Sequence, residues 1–213
     1  MALEVKICGV KHPDAVAAAT MGGAKMLGFV FVPRSPRAVT VAEARDLMAL
    51  VPPEVLKVAL VVDPDDDVLK ALRHELPIDL WQLHGKETPE RVAAVKAMTG
   101  IGVIKAVAIG DEGDVINAGG YEQVADRLLF DAKPPPGATL PGGNAQPFDW
   151  TILSGRVWLK PWMLAGGLHA GNLVQAVCAS GAQAVDVSSG VEDAPGEKSP
   201  RKIKEFLRLA AAL

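Results

Sequence analysis

Residues 5–31 read VKICGVKHPDAVAAATMGGAKMLGFVF: an apolar run, a stretch of helical character opened by Pro13 and closed by Gly22-Gly23, then a second apolar run. Proline at a first helical position and glycine just past the last mark the two ends of a helix. The unit therefore reads strand, helix, strand, with the strands parallel. Repeating it along the chain gives strand candidates at Val5–Cys8, Met26–Phe31, Lys57–Val62, Leu80–His84, Val103–Ala108, Arg127–Ala132, Val157–Trp162 and Ala184–Val187. Eight units over this length give about 27 residues each, near the roughly 25 that a strand, a helix and two short loops require. The expected fold is a (β/α)8 TIM barrel, a single domain over residues 1–213. An open doubly wound sheet is the competing architecture, but the turn after the first strand lacks G-x-G-x-x-G.

Other helix starts are equally legible. Thr40-x-x-Glu43 spells a capping box, and Thr88-Pro89 and Ser199-Pro200 repeat the cap-then-proline start. Asp65-Asp66-Asp67 reads as a solvated first turn favoured by the helix dipole, not as a metal site. The net charge of -3 argues against general attraction to nucleic acid or anionic membrane, so any anion site must be local. No apolar run approaches the ~20 residues that span a bilayer, and no leader is apparent, so a cytoplasmic protein is expected. Cys8 and Cys178 are far apart and lack metal-type spacing, so neither a disulfide nor a zinc site is expected. Cys178 precedes Gly181, a C-cap signal, and is expected to be buried on its helix.

Six segments carry candidate chemistry. Lys6-Ile7-Cys8-Gly9 leaves a thiol at a strand tip with a lysine on the same strand face. Cys8 is either a small buried hydrophobe or a reactive thiol. Leu128-Leu129-Phe130-Asp131-Ala132-Lys133 brings an acid to the same mouth, free to pair with Cys8 in acid–base chemistry or tied to Lys133. Gly166-Gly167 after the seventh strand and Ser188-Ser189-Gly190 after the eighth suit a phosphate held by backbone amides. Phe31-Val32-Pro33-Arg34-Ser35-Pro36-Arg37 holds two arginines between two prolines, either as a stiff fork for a carboxylate or as a solvated surface loop, the reading that composition alone favours. Gln82 and His84 share a strand face, either as binding residues or as hydrogen-bonded structure. Asp186 has inward parity and can pair with Lys6. The proline-rich run 133–148 follows the sixth strand, on the face where barrels carry their active sites.

These motifs, together with Phe148-Asp149-Trp150 and Asp-Val-Ser-Ser-Gly-Val-Glu over 186–192, stand in an order that resembles the phosphoribosylanthranilate isomerase family of tryptophan biosynthesis. The resemblance covers nearly the whole chain. It implies an Amadori rearrangement of N-(5-phosphoribosyl)anthranilate without cofactor or metal, in a monomer or homodimer whose partner is this small substrate. By the same resemblance Asp131 is the general acid and Cys8 the general base. Arg37 would hold the anthranilate carboxylate, Gly166, Gly167, Ser188, Ser189 and Gly190 the phosphate, with Gln82 and His84 as further substrate contacts. Two places depart from the family pattern. Gly142-Gly143-Asn144-Ala145 lacks a hydroxyl and a glycine, and His169-Ala170-Gly171-Asn172 lacks a proline. A non-catalytic phosphosugar-binding barrel and another phosphate-binding barrel enzyme are the alternatives; the first would need neither thiol nor acid.

Overall fold

A computed structural model describes residues 3–134 and 148–213. Eight parallel strands close into a barrel in chain order: β1 Glu4–Cys8, β2 Met26–Val30, β3 Leu56–Val61, β4 Leu80–Leu83, β5 Gly102–Ile109, β6 Arg127–Ala132, β7 Trp162–Leu164 and β8 Ala184–Val187. β1 pairs with both β2 and β8, which closes the ring. Helices α1 Pro13–Met21, α2 Val41–Ala49, α3 Asp66–Glu75, α4 Pro89–Thr99, α5 Glu112–Ala118, α6 Leu173–Ser180 and α7 Pro200–Ala210 connect the strands, and a 3₁₀ turn, Trp150–Leu153, lies between β6 and β7. None of these helices is long and apolar enough to cross a membrane.

Two of the three caps read from the sequence form, at Thr40 and Thr88, whereas Ser199 precedes its helix without a side-chain cap bond. Thr40 Oγ1 accepts from the Glu43 amide while Glu43 returns a bond to the Thr40 amide, and Asp65 caps α3 through the Val68 amide. Strand alternation then sorts the core into two layers. Outward residues such as Ile7, Leu27, Phe29, Trp81, Leu83 and Phe130 pack under the helices. Inward residues Met26, Val58, Ile104, Leu129, Met163 and Ala184 plug the barrel with a second apolar cluster.

Two sequence expectations need correcting. The seventh strand begins at Trp162, not Val157. Val157 and Leu159 are exposed, and Pro161 cannot donate to a ladder, so pairing starts only after it; the Pro161 carbonyl accepts from Leu128 at 3.0 Å. Cys178 is exposed, because α6 buries Leu173, Ala176 and Ser180 and position 178 falls on the opposite face.

Candidate active site

The C-terminal ends of the strands surround one cavity. Its walls include Cys8 from β1, Arg37 and Ser35 from the loop after β2, and His84 after β4. Asp131 on β6, Gly166 and Gly167 after β7, and Asp186, Ser188 and Ser189 at and after β8 complete the ring. Most of the expected site residues are therefore brought together. Two stand back. Gln82 is fully buried beneath His84, and Gly190 lies against the chain rather than the cavity: a β-carbon there would sit 1.8 Å from the Leu168 carbonyl oxygen. Gly190 is a glycine because two backbones meet there. The Asn144-Ala145 departure, and the proline-rich run from 135 to 147, lie outside the described residues.

Cys8 sits over the expected ion pair. Lys6 Nζ donates to Asp186 Oδ1 at 2.8 Å, fully buried. Burial works against the Lys6 charge, yet Asp186 overcomes it and lifts the ammonium above the usual lysine range. For Cys8 burial wins: it pushes the thiol up, Asp186 adds to that, and the cations of Lys6 and Lys198 oppose it without prevailing. Room for this arrangement comes from Gly28, opposite Cys8 in the β1–β2 register. A β-carbon at Gly28 would lie 2.9 Å from Cys8 Sγ and 3.1 Å from Lys6 Nζ.

Asp131 is not tied to Lys133, which instead binds Asp114 at 3.0 Å. Its Oδ1 accepts from the Ala132 amide at 2.9 Å, and its Oδ2 lies 3.1 Å from His84 Nε2. Gln82 Nε2 in turn lies 2.8 Å from His84 Nδ1. A chain of three side chains thus fixes the acid's orientation. Behind it, buried Lys105 and Glu87 pair at 2.7 Å, and Lys105 also donates to the Gly85 carbonyl at 2.8 Å. Glu87 accepts from the amides of Asp63 and Gly85. This pair holds the loop that carries His84.

On the glycine side, Gly166 has φ +85°, and a β-carbon would meet the Ala132 amide nitrogen at 2.6 Å. Both the dihedral and the close approach to β6 demand glycine. The missing proline after Leu168 is answered locally: Asn172 Nδ2 donates to the Gly167 carbonyl at 2.9 Å and its Oδ1 accepts from the His169 amide at 2.8 Å. Asn172 therefore braces the glycine turn, and α6 begins directly after it.

Arg37 is buried over Gly9, whose φ of +79° and missing side chain admit the arginine stem. Its Nε and Nη2 each donate to Glu192 at 2.8 Å. One edge of the guanidinium is thus occupied, and among the described residues the outer edge with Nη1 makes no side-chain or backbone bond, which suits it to a ligand. Nothing in the 186–192 motif marks Glu192 for a task, nor is Lys198, which shares the same carboxylate, marked by its neighbours. The available signal was a hairpin pattern, Glu192 and Lys198 flanking the Pro195-Gly196 turn.

The sequence profile of the N-(5'phosphoribosyl)anthranilate (PRA) isomerase family matches residues 5–208. The N-(5'-phosphoribosyl)anthranilate isomerase of Rhodospirillum centenum is 57% identical over the full length of both chains. The phosphoribosyl anthranilate isomerase of Thermotoga maritima is 33% identical with a TM-score of 0.89, covering 99% of this chain and 100% of that one. A phosphoribosyl anthranilate isomerase solved with reduced 1-(o-carboxyphenylamino)-1-deoxyribulose 5-phosphate is 32% identical with a TM-score of 0.86, covering 99% and 100%. The thiol, the acid, the arginine and the glycine turn thus sit around one cavity in a chain whose whole length matches one family of enzymes, and the chain belongs to the N-(5'-phosphoribosyl)anthranilate isomerase family.

Proposed function

We propose that this barrel converts N-(5-phosphoribosyl)anthranilate to 1-(2-carboxyphenylamino)-1-deoxyribulose 5-phosphate, with Asp131 as general acid and Cys8 as general base. The carrying observation is that these two groups, on β6 and β1, face one cavity whose other walls offer an arginine and a glycine turn. Asp131 protonates the ribose ring oxygen, which opens the furanose as a Schiff base. Cys8, acting as its thiolate, takes the proton on C2 and becomes the thiol, giving an enolamine that tautomerises to the ketone. Arg37 holds the ring carboxylate through its outer edge. The Gly166-Gly167 and Ser188-Ser189 backbones hold the phosphate, and anchoring both ends keeps the reacting carbon between acid and base. Gln82 and His84 orient Asp131.

The test is loss of anthranilate fluorescence when purified protein meets freshly made substrate. Turnover no faster than the spontaneous reaction refutes the proposal. Cys8→Ala and Asp131→Asn should each lower kcat by at least ~10²-fold, the usual worth of a positioned base or acid. Parent-like turnover in either variant removes that residue from its role.

A further inference from the structure

After β8 the chain makes an element that the barrel itself does not need: a short antiparallel hairpin of β9 Glu192–Ala194 and β10 Glu197–Lys198. It reaches across to the loop carrying Arg37. Gly196, at φ +86°, packs so closely that a β-carbon would lie 2.3 Å from the Pro36 carbonyl oxygen. The hairpin delivers two charged side chains to a third. Glu192 Oε1 accepts from Arg37 Nε at 2.8 Å and from Lys198 Nζ, while Oε2 accepts from Arg37 Nη2 at 2.8 Å and from the Gly196 amide at 3.2 Å. Arg37, Glu192 and Lys198 are all buried.

The charge count in this cluster is informative. An Arg37–Glu192 pair alone would be neutral, and a neutral pair offers an incoming carboxylate little net attraction. Lys198 changes that, because two cations then share one carboxylate and one positive charge is left over. Neighbouring charges do not cancel it: Lys6 is spent on Asp186 at 2.8 Å and Lys202 on Asp193 at 3.0 Å. Burial pulls the Lys198 ammonium below the usual lysine range and Glu192 resists. A buried excess charge is costly, so a sequence that keeps one beside a cavity has a use for it.

We propose that Lys198 is a specificity-determining residue. Sharing Glu192 with Arg37, it supplies the net charge that makes the open edge of Arg37 select a ligand with a ring carboxylate over one without. Lys198 does not line the cavity and acts through Glu192 and Arg37; the inference rests on reading Arg37 as the carboxylate clamp.

Calorimetric binding of two ligands tests it: reduced 1-(o-carboxyphenylamino)-1-deoxyribulose 5-phosphate, and the same compound without the ring carboxylate. The parent should prefer the first. In Lys198→Gln, which keeps a donor for Glu192, and in Lys198→Met, the preference should shrink about tenfold, the order expected of one unit charge in a partly screened site. Affinity for the carboxylate-free ligand should stay at the parent value, and Lys198→Arg should keep the preference. An undiminished preference in both neutral variants overturns the inference. Equal weakening of both ligands also overturns it, because Lys198 would then serve the phosphate through Ser188 Oγ, 3.4 Å away. A parent that binds both equally overturns the Arg37 clamp and this inference with it. One that binds neither overturns the proposed substrate, a result distinguishable from all the others.

Discussion

Gly28→Ala adds a single methyl group to the inner face of β2, and its consequences can be worked out from the structure. The backbone at Gly28 is not left-handed, so alanine is conformationally admissible. On that ground alone the change should stabilise the protein by ~0.4–1 kcal/mol through a less flexible unfolded chain. The space, however, is taken. The new carbon would lie 2.9 Å from Cys8 Sγ, 3.1 Å from Cys8 Cα and 3.1 Å from Lys6 Nζ. Carbon contacts settle at about 3.5–4.0 Å, so the Cys8 end of β1 must retreat by roughly 0.5–1 Å. Overpacking of this kind costs ~1–3 kcal/mol.

The net loss is then about 1–2 kcal/mol, which for a chain of this size lowers Tm by about 2–8 °C. Activity should suffer far more than stability. A displacement approaching 1 Å in a group placed as the proposed base costs on the order of 10²-fold in kcat, and KM should move less, by whatever shift is passed on through Arg37, which packs on Gly9, and Ser188, whose Oγ donates to the Cys8 carbonyl at 3.0 Å. The assays are thermal unfolding and the fluorescence decay of the substrate. A Gly28→Ala protein with parent-like kcat, or with a raised Tm, would show that the thiol has slack and that its position is not set by this contact.

Further expectations follow from the charged residues. Lys6→Met should cost ~3–5 kcal/mol because it strands Asp186 in the barrel, while Lys6→Met with Asp186→Leu should recover most of that loss; a double variant no better than the single in denaturant melts refutes the pairing argument. In a Cys178→Ser background, iodoacetamide reports Cys8 through its thiolate. Because burial raises this thiol, less thiolate exists at a given pH, and the rate should reach its midpoint above the ordinary ~8.5. Asp186→Asn removes an opposing negative charge and should lower the midpoint; a parent midpoint at or below the ordinary value would show that Lys6 outweighs burial. Arg37→Ala should chiefly raise KM, and an unchanged KM would count against the carboxylate clamp.

The barrel was legible because several of its units carry their own punctuation. Pro13, Thr40 with Glu43, Thr88-Pro89 and Ser199-Pro200 all open helices in the structure. Punctuation failed once, at Val157-Trp158-Leu159, where a short apolar run looks like a strand but is not one. Trp158 packs on Phe130, with ring centroids 4.7 Å apart, and the residues on either side of it face outward. Hydrophobicity alone does not distinguish a strand from a covering segment. At the site, strand-end residues were readable because alternation fixes which side chains face inward, and the Lys6–Asp186 pair came from that parity. The Arg37–Glu192 bond was not readable, since its partners meet through a hairpin outside the repeating unit, where strand parity gives no guide.

That hairpin and the buried Lys6–Asp186 pair pose the same question: why does a barrel with an apolar plug of Met26, Val58, Leu129 and Met163 put charges just above it? Stability does not supply the reason, because replacing a buried ion pair with apolar side chains is commonly neutral or favourable. Position does. Lys6 Nζ and Cys8 Sγ both come within about 3 Å of the point that a side chain at Gly28 would occupy. An ammonium in that gap stands ready to meet a thiolate as it forms, and Asp186 both holds it there and opposes the thiolate. The two charges work against each other at Cys8, so burial decides and pushes the thiol up. Since oxidation and alkylation both proceed through thiolate, the burial that raises the Cys8 thiol at the cavity wall also slows both reactions.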